Sequence, residues 1–303
     1  MPLARPTPAA SRPRFHPLRV TGVERLTPAA VAVSFAVPAE LAATFDFAAG
    51  QYLTLRASLG GADVRRSYSI CVSPRDARAR GEVRVAASRV DGGAMSNWLN
   101  DSVRVGDVIG VLPPLGSLTT PPGDRPRHHA AIAAGSGITP VLSIITAALQ
   151  DTDADTATLV LGNRAMDTVM FRAELDDLAL AYPDRFRLVH VLTRPAATHD
   201  DEAIRPSDGP GAGLSAQLRT GRLDEPRIAA IIDALGLADD VDEWYLAGPI
   251  GVVESAREVL TELGIGPARV HEEIFYVPPP SSAPPAPPAP PASPPTSSEV
   301  AST

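Results

Sequence analysis

The chain has 303 residues, 44% hydrophobic and 20% charged, with a formal net charge of -8. This is globular composition of two-domain length, too acidic for a phosphate-backbone partner, so nucleic acid is excluded. All 27 basic residues are arginine and the only cysteine is Cys71, which excludes a Walker-type loop, Schiff-base or lysine-base chemistry, an intramolecular disulfide and a cysteine metal cage.

Residues 1–14 are rich in Pro, Arg and Ala without an apolar signal-type stretch, and are expected to be a disordered arm. No run of 18 apolar residues occurs, so no membrane span is expected and the cytoplasm is the default location. From 15 to 120 the pattern is short and turn-punctuated. Strands are expected at 18–24, 30–36, 52–57, 66–72, 82–88 and 107–112, with one helix at 94–100, giving a small antiparallel β-barrel domain.

The second domain spans 121–277, entered through the Pro/Gly-rich stretch 119–127. Strands at 130–134, 158–161, 186–192, 243–246 and 269–275 alternate with helices at 139–150, 167–181, near 225–235, and at 251–263. That alternation predicts an α/β doubly wound parallel sheet. His128 and His129 are adjacent on a strand start and point to opposite faces, so they cannot jointly bind a metal, and no metal site is expected. Asp200-Asp201-Glu202 is expected to be a solvated charge run. The tail from 278 to 303 has 11 prolines in 26 residues and is expected to be a disordered linker, with an SH3-type ligand as the alternative.

Three stretches carry chemistry. Arg65-Arg66-Ser67-Tyr68-Ser69-Ile70 lies on an expected strand, where alternation pairs Arg66 with Tyr68 and Ser67 with Ser69. A guanidinium can pair with a pyrophosphate in fork geometry, a phenol ring can lie on an isoalloxazine, and a small hydroxyl can donate to flavin N4/N5. Taken alone, the stretch also suits an edge strand with solvated arginines.

Ala134-Gly135-Ser136-Gly137-Ile138-Thr139-Pro140 follows an apolar strand and opens an amphipathic helix. The glycines permit a tight turn and close approach of a pyrophosphate, Thr139 suits the N-cap, and Pro140 the first helical position. A plain strand–helix turn is the alternative; a hydrolase elbow is excluded, because G-x-S-x-G would need glycines where Ala134 and Ile138 stand. Gly248-Pro249 forms a second glycine turn at the same sheet edge. Arg164 follows the second strand and Thr193-Arg194 the third, with no acid nearby to grip a ribose diol. Arginines there favour an adenosine 2′-phosphate, hence NADPH over NADH, although solvated surface arginines would look the same.

In this order and spacing the three motifs resemble the ferredoxin–NADP reductase superfamily, over roughly residues 15–275. Gly50-Gln51-Tyr52-Leu53-Thr54-Leu55, Gly162-Asn163-Arg164 and the Glu-Ile-Phe ending at Phe275 are similar, within it, to the reductase components of phenylacetyl-CoA epoxidase. The resemblance implies that Arg66, Ser67, Tyr68 and Ser69 hold FAD, and that Gly93, Met95 and Ser96 meet its pyrophosphate with amides and a hydroxyl. It also implies that Gly135, Ser136, Gly137, Ile138, Thr139 and Pro140, with Gly248-Pro249, hold the NADPH pyrophosphate and nicotinamide side. Arg164, Thr193 and Arg194 would lie at the 2′-phosphate, and Phe275 near the flavin. Ser69 and Thr139 would orient the reacting rings for hydride transfer from NADPH to flavin N5.

Two departures bear on this. The family's Cys-Gly-Pro is Ala247-Gly248-Pro249, and the single cysteine cannot build the family's C-terminal [2Fe–2S] cluster. Electrons are therefore expected to leave singly to an external iron–sulfur protein or oxygenase component, or to a missing domain. Two other functions stay open: a stand-alone ferredoxin or flavin reductase, and a nucleotide-binding docking module with impaired turnover. A flavohaemoglobin is disfavoured, since no globin-like segment precedes the expected barrel.

Overall fold

The computed structural model describes residues 14–120, 125–194 and 214–275. The expected arm up to residue 13, the Asp200-Asp201-Glu202 run and the Pro-rich tail lie outside the described residues.

Six strands form the first sheet: β1 (His16–Thr27), β2 (Ala30–Ala36), β3 (Tyr52–Leu59), β4 (Ala62–Ser69), β5 (Glu82–Ser88) and β6 (Val108–Val111). Their order is β4-β3-β6-β1-β2-β5, antiparallel throughout. An Ile70–Val85 bridge and a 2.9 Å bond from Cys71 N to the Arg84 carbonyl join the end of β4 to β5, closing the sheet into a barrel. Period-two alternation turns Leu18, Val20, Val31, Val33, Phe35, Leu53 and Leu55 into the interior, all fully buried.

Two helices complete the barrel, α1 (Pro74–Arg80) and α2 (Ala94–Asp101). Only α2 is expected from the sequence. The local cues for α1 are a Ser73 N-cap, whose side chain accepts from Asp76 N, proline at the start and left-handed Gly81 at the end. Its polar sequence shows no apolar stripe, and only Ala77 is buried.

The second sheet is parallel, ordered β11-β10-β7-β8-β9, from β7 (His128–Ala134), β8 (Thr156–Asn163), β9 (Phe186–Leu192), β10 (Glu243–Gly248) and β11 (Val270–Ile274). Helices α3 (Ile138–Asp151) and α4 (Arg172–Ala181) cover one face, α5 (Glu225–Leu235) and α6 (Ile250–Glu262) the other. The strand order switches direction between β7 and β10, and a crevice at the carboxyl ends is the ligand position of such sheets.

Two helix starts differ from expectation. α3 begins at Ile138 with Gly137 at the cap position, so Thr139 is not the N-cap and Pro140 is third, not first. The Gly135–Gly137 segment is already a 3-10 turn, and the Thr139 hydroxyl donates back to the Ser136 carbonyl at 2.9 Å. α4 begins at Arg172 rather than 167, because Phe171 is left-handed (φ 59°) and interrupts the helical path.

The α3/α4 layer lies between sheet and barrel. Its core runs on without a break into Ala30, Ala32, Ala49, Cys71 and Ala86 of the barrel domain. Polar contacts fix the seam: Ser143 Oγ donates to the Val72 carbonyl at 2.7 Å, and Ser73 Oγ bonds Gln150 at 2.7 Å. Arg84, its side chain 14% exposed, donates to Glu24 at 2.5 Å and Glu174 at 2.6 Å, and lies over the Phe171 ring, 5.3 Å from its centroid. Arg84→Met would strand two carboxylates at this seam. We expect a urea-unfolding loss of about 2–3 kcal/mol, against under about 1 kcal/mol for Glu24→Gln on the exposed side. Equal small losses would reduce the cluster to a surface network.

Candidate functional site

β4 presents its two faces differently. Tyr68 stands opposite Leu53 and Arg66 opposite Leu55 in the β3–β4 ladder, so both share the barrel-facing side. Tyr68 is half-buried against the barrel core, and burial, opposed by the Arg66 guanidinium, pushes its phenol pKa up and keeps it neutral. Arg66 is exposed and donates to the Arg65 carbonyl at 2.6 Å. Ser67 lies on the opposite face, sharing a 3.1 Å hydrogen bond with Thr54, so it is not gathered with Arg66 and Tyr68.

The start of α2 contributes main chain more than side chains. Met95 is buried in the barrel core. The Ser96 hydroxyl accepts from Val90 N at 3.2 Å and donates to the Gly93 carbonyl at 3.4 Å, which holds the turn together. Among the described residues no side chain caps the first-turn amides after Gly93, leaving the positive end of the helix to an external acceptor.

The two glycine turns of the parallel sheet touch each other. A Cβ on Gly137 would lie 2.1 Å from the Ala247 carbonyl oxygen and 2.8 Å from Gly248 N, so only glycine fits. Phe275 N donates to the Gly248 carbonyl at 2.8 Å, bringing the end of β11 to the same place. Ile138, Thr139 and Pro140 are buried, while Gly135 and Ser136 are partly open. Four residues beyond Thr139, Ser143 bonds Val72, itself three residues beyond Ser69, so the seam draws these two residues' segments together.

Across that seam Ser69, only 4% exposed, donates to Glu273 Oε1 at 3.4 Å. The other carboxylate oxygen of Glu273 is buried without a hydrogen-bond partner among the described residues. Burial raises the Glu273 pKa to about 7, with the Ser69 hydroxyl opposing the rise. The sequence signal for Glu273 was its place two residues before Phe275, at the end of β11.

At the ends of β8 and β9, Arg164, Thr193, Arg194, Gly221 and Arg222 line an open cleft of about 430 Å³. Arg194 N donates to the Arg164 carbonyl at 2.7 Å, tying the two strand ends. The guanidiniums of Arg164, Arg194 and Arg222 have no hydrogen bond or ion pair among the described residues. Beside them Asn163 is 9% exposed, with its amide nitrogen buried and unpartnered among the described residues. Arg222 was missed by sequence reasoning, because a long loop separates it from the strand it joins.

Residues 17–119 match the family described as an oxidoreductase FAD-binding domain, and residues 131–209 that of an oxidoreductase NAD-binding domain. The chain is 35% identical to one of the subunits of 1,2-phenylacetyl-CoA epoxidase of Escherichia coli K12 over 265 residues, 87% of this chain and 68% of that protein. The chain belongs to the ferredoxin reductase family of FAD- and NAD-binding oxidoreductases. The reductase is also 34% identical to the ferredoxin reductase component of 3-ketosteroid-9-alpha-monooxygenase from Rhodococcus rhodochrous, over 85% of this chain and 64% of that one. Among solved structures, a ferredoxin NADP+ reductase from Neisseria gonorrhoeae with bound FAD and NADP shares the fold. Its TM-score is 0.65 at 21% identity, over 86% of this chain and 99% of that one.

The residues of this reductase fit both groups. Arg66 and the uncapped α2 amides offer positive charge beside the Tyr68 ring, and the orphaned Glu273 oxygen and Ser69 supply polar atoms at the seam. The cleft of three guanidiniums, without a partner among the described residues, suits a phosphate. Among the described residues no helix is long and apolar enough to cross a membrane.

A carboxyl raised by burial favours the folded protein below pH 4.5, its ordinary value, and loses that contribution as pH rises through about 7. Glu273→Gln should therefore stabilise the reductase at pH 8 by on the order of 3 kcal/mol, the gap closing toward pH 4.5. Urea titrations of both proteins at pH 5 and pH 8 measure this. A gap that does not change with pH would mean the carboxyl titrates normally.

Proposed function

We propose that this reductase is the electron-transfer component of a multicomponent oxygenase, oxidising NADPH through FAD and passing single electrons to an iron–sulfur protein or oxygenase partner. The observation that carries it is the meeting of Ser69, next to Tyr68 on β4, with Glu273 across the interdomain seam, where Phe275 and the paired glycine turns also lie. The phenylacetyl-CoA epoxidase and ketosteroid monooxygenase relatives support the oxygenase setting, with the phenylacetyl-CoA system first among them. The chain spans 68% and 64% of those two proteins. Its single cysteine cannot ligate a cluster, and the iron–sulfur acceptor is proposed to lie outside these 303 residues.

Bound FAD supplies acceptance of a hydride pair and its release one electron at a time. The chain's own residues position and shield. Arg66 and the α2 amides hold negative charge, and Tyr68 offers a neutral ring face. Ser69 orients a hydrogen bond at the seam, and its partner Glu273 can hold or give up a proton at its carboxyl near neutral pH. Gly137 and Gly248 bring the two turns into contact, the partly open amides of Gly135 and Ser136 would meet the pyrophosphate, and Phe275 is held beside Gly248. Arg164, Thr193, Arg194 and Arg222 would take the 2′-phosphate, which favours NADPH, with NADH a weaker donor.

Purified protein should be yellow with flavin absorbance bands, reduce ferricyanide rapidly with NADPH, and reduce cytochrome c poorly without an iron–sulfur partner. Arg194→Ala should raise KM for NADPH about tenfold with little change for NADH, the loss of one charge-assisted phosphate contact. A colourless protein that neither takes up FAD nor oxidises NADPH would sink the proposal. Equal KM changes for both nucleotides would sink the 2′-phosphate assignment alone.

A further inference from the structure

Arg222 comes to the cleft from a segment that is neither strand nor helix. It follows a single helical turn, Ala216–Arg219, and is joined to the sheet by a parallel Thr220–Leu192 bridge and a 2.9 Å bond from Gly221 N to the Leu192 carbonyl. Such a segment has few contacts to fix it. Arg227, in the first turn of α5, supplies them.

The Arg227 guanidinium gathers three carbonyls of this segment. Nε donates to Arg222 O at 2.8 Å, and one terminal nitrogen donates to Gln217 O at 2.6 Å and Leu218 O at 3.3 Å. Its own amide is held by the Asp224 carboxylate at 3.2 Å. Gly221 (φ 125°) wraps over the same group: a Cβ there would come within 2.5 Å of the guanidinium. On the other side, Leu223 packs onto Gly162, where a Cβ would lie 2.6 Å from the leucine methyl. The main chain of Arg222 is thus pinned between Arg227 below and the end of β8 beside it. Arg227 is not among the residues that line the cleft.

We propose that Arg227 is a positioning residue for recognition of the adenosine 2′-phosphate: it holds the 217–222 segment so that Arg222 joins Arg164 and Arg194 around one phosphate. This rests on the assignment of that cleft to the 2′-phosphate. Fixing the main chain in advance leaves only side-chain ordering to oppose binding, so the effect falls on affinity for the phosphate.

The test is calorimetric titration of the FAD-loaded full chain with NADP+ and, separately, NAD+. Arg227→Met keeps the stem and removes the donors. It should weaken NADP+ about fivefold to tenfold, as for one charge-assisted contact, and NAD+ less than about twofold. Arg222→Ala should show a similar loss, and the double variant should bind no more weakly than Arg222→Ala alone, because Arg227 acts through Arg222. Unchanged NADP+ affinity in Arg227→Met, losses that multiply in the double variant, or an equal loss with NAD+ would each overturn the proposal. If Arg227→Met does not fold, Arg227→Lys decides, since an ammonium cannot span these carbonyls in a planar fork; wild-type NADP+ affinity there would overturn it. Equal wild-type affinity for NADP+ and NAD+, with no effect of Arg222→Ala, would remove the 2′-phosphate assignment and this inference with it. A wild-type preference lost in Arg222→Ala but kept in Arg227→Met would remove this inference only.

Discussion

Neither sheet carries the candidate site alone; the packing of α3 against the barrel makes it one site. Ser69 belongs to the barrel, while Glu273 and both glycine turns belong to the parallel sheet, with Phe275 just past its last strand. They meet because one apolar core crosses the seam, from Ile138, Leu142 and Ile145 into Cys71, Ala86 and Leu118. Each fully buried aliphatic side chain of this kind is worth about 1.5–3 kcal/mol. A core shared in this way resists the relative sliding of domains joined only by a polar interface.

The composition of that core explains how closely the layers approach. β7 reads His-His-Ala-Ala-Ile-Ala-Ala, and Ala131, Ala133, Ala147, Ala157 and Ala247 sit on the α3 side. Small side chains let the helix lie near the sheet, which in turn lets Gly137 rest on the Ala247 carbonyl. At the edge of the seam the groups become polar, and Arg84 spans Glu24 and Glu174 there. Glu273 is the exception, a carboxyl inside the seam whose only partner among the described residues is one serine hydroxyl. A group left so under-partnered is a cost to folding at neutral pH, and such costs collect where ligands bind.

What the sequence made legible is what is local. Strand alternation exposed the barrel, the apolar-strand–glycine–helix pattern exposed the parallel sheet, and Gly135 to Pro140 and Gly248-Pro249 could be placed on one edge from order alone. Local patterns misled where a competing turn intervened. Thr139 has the chemistry of an N-cap, but the preceding 3-10 turn satisfies the helix start without it. The strand expected at 66–72 is shifted to Ala62–Ser69, because the Gly60-Gly61 turn lets β4 begin earlier and Ser73 then caps α1. Glu273 and Arg222 were out of reach for another reason: Glu273 meets Ser69 and Arg222 shares a cleft with Arg164, groups far away in the chain, and no periodicity encodes such a meeting.

The absence of lysine from the chain sharpens the meaning of its arginines. Several serve as collectors of carbonyl groups. Arg185 donates to Leu149, Thr152 and Asp155 carbonyls at the end of α3, Arg104 to those of Asp101 and Val103, and Arg269 to those of Val241 and Asp242. A planar fork of five donors suits that work, since it can satisfy helix-end and loop acceptors that have no main-chain partner. Against that background Arg164, Arg194 and Arg222 are distinct. They stand together at the carboxyl edge of the sheet and, among the described residues, turn to no carbonyl or carboxylate. Three like charges brought together repel one another, and in a chain of net charge -8 acids were available to pair them. Among the described residues the cluster has no such partner, and an anion entering it would balance the charge.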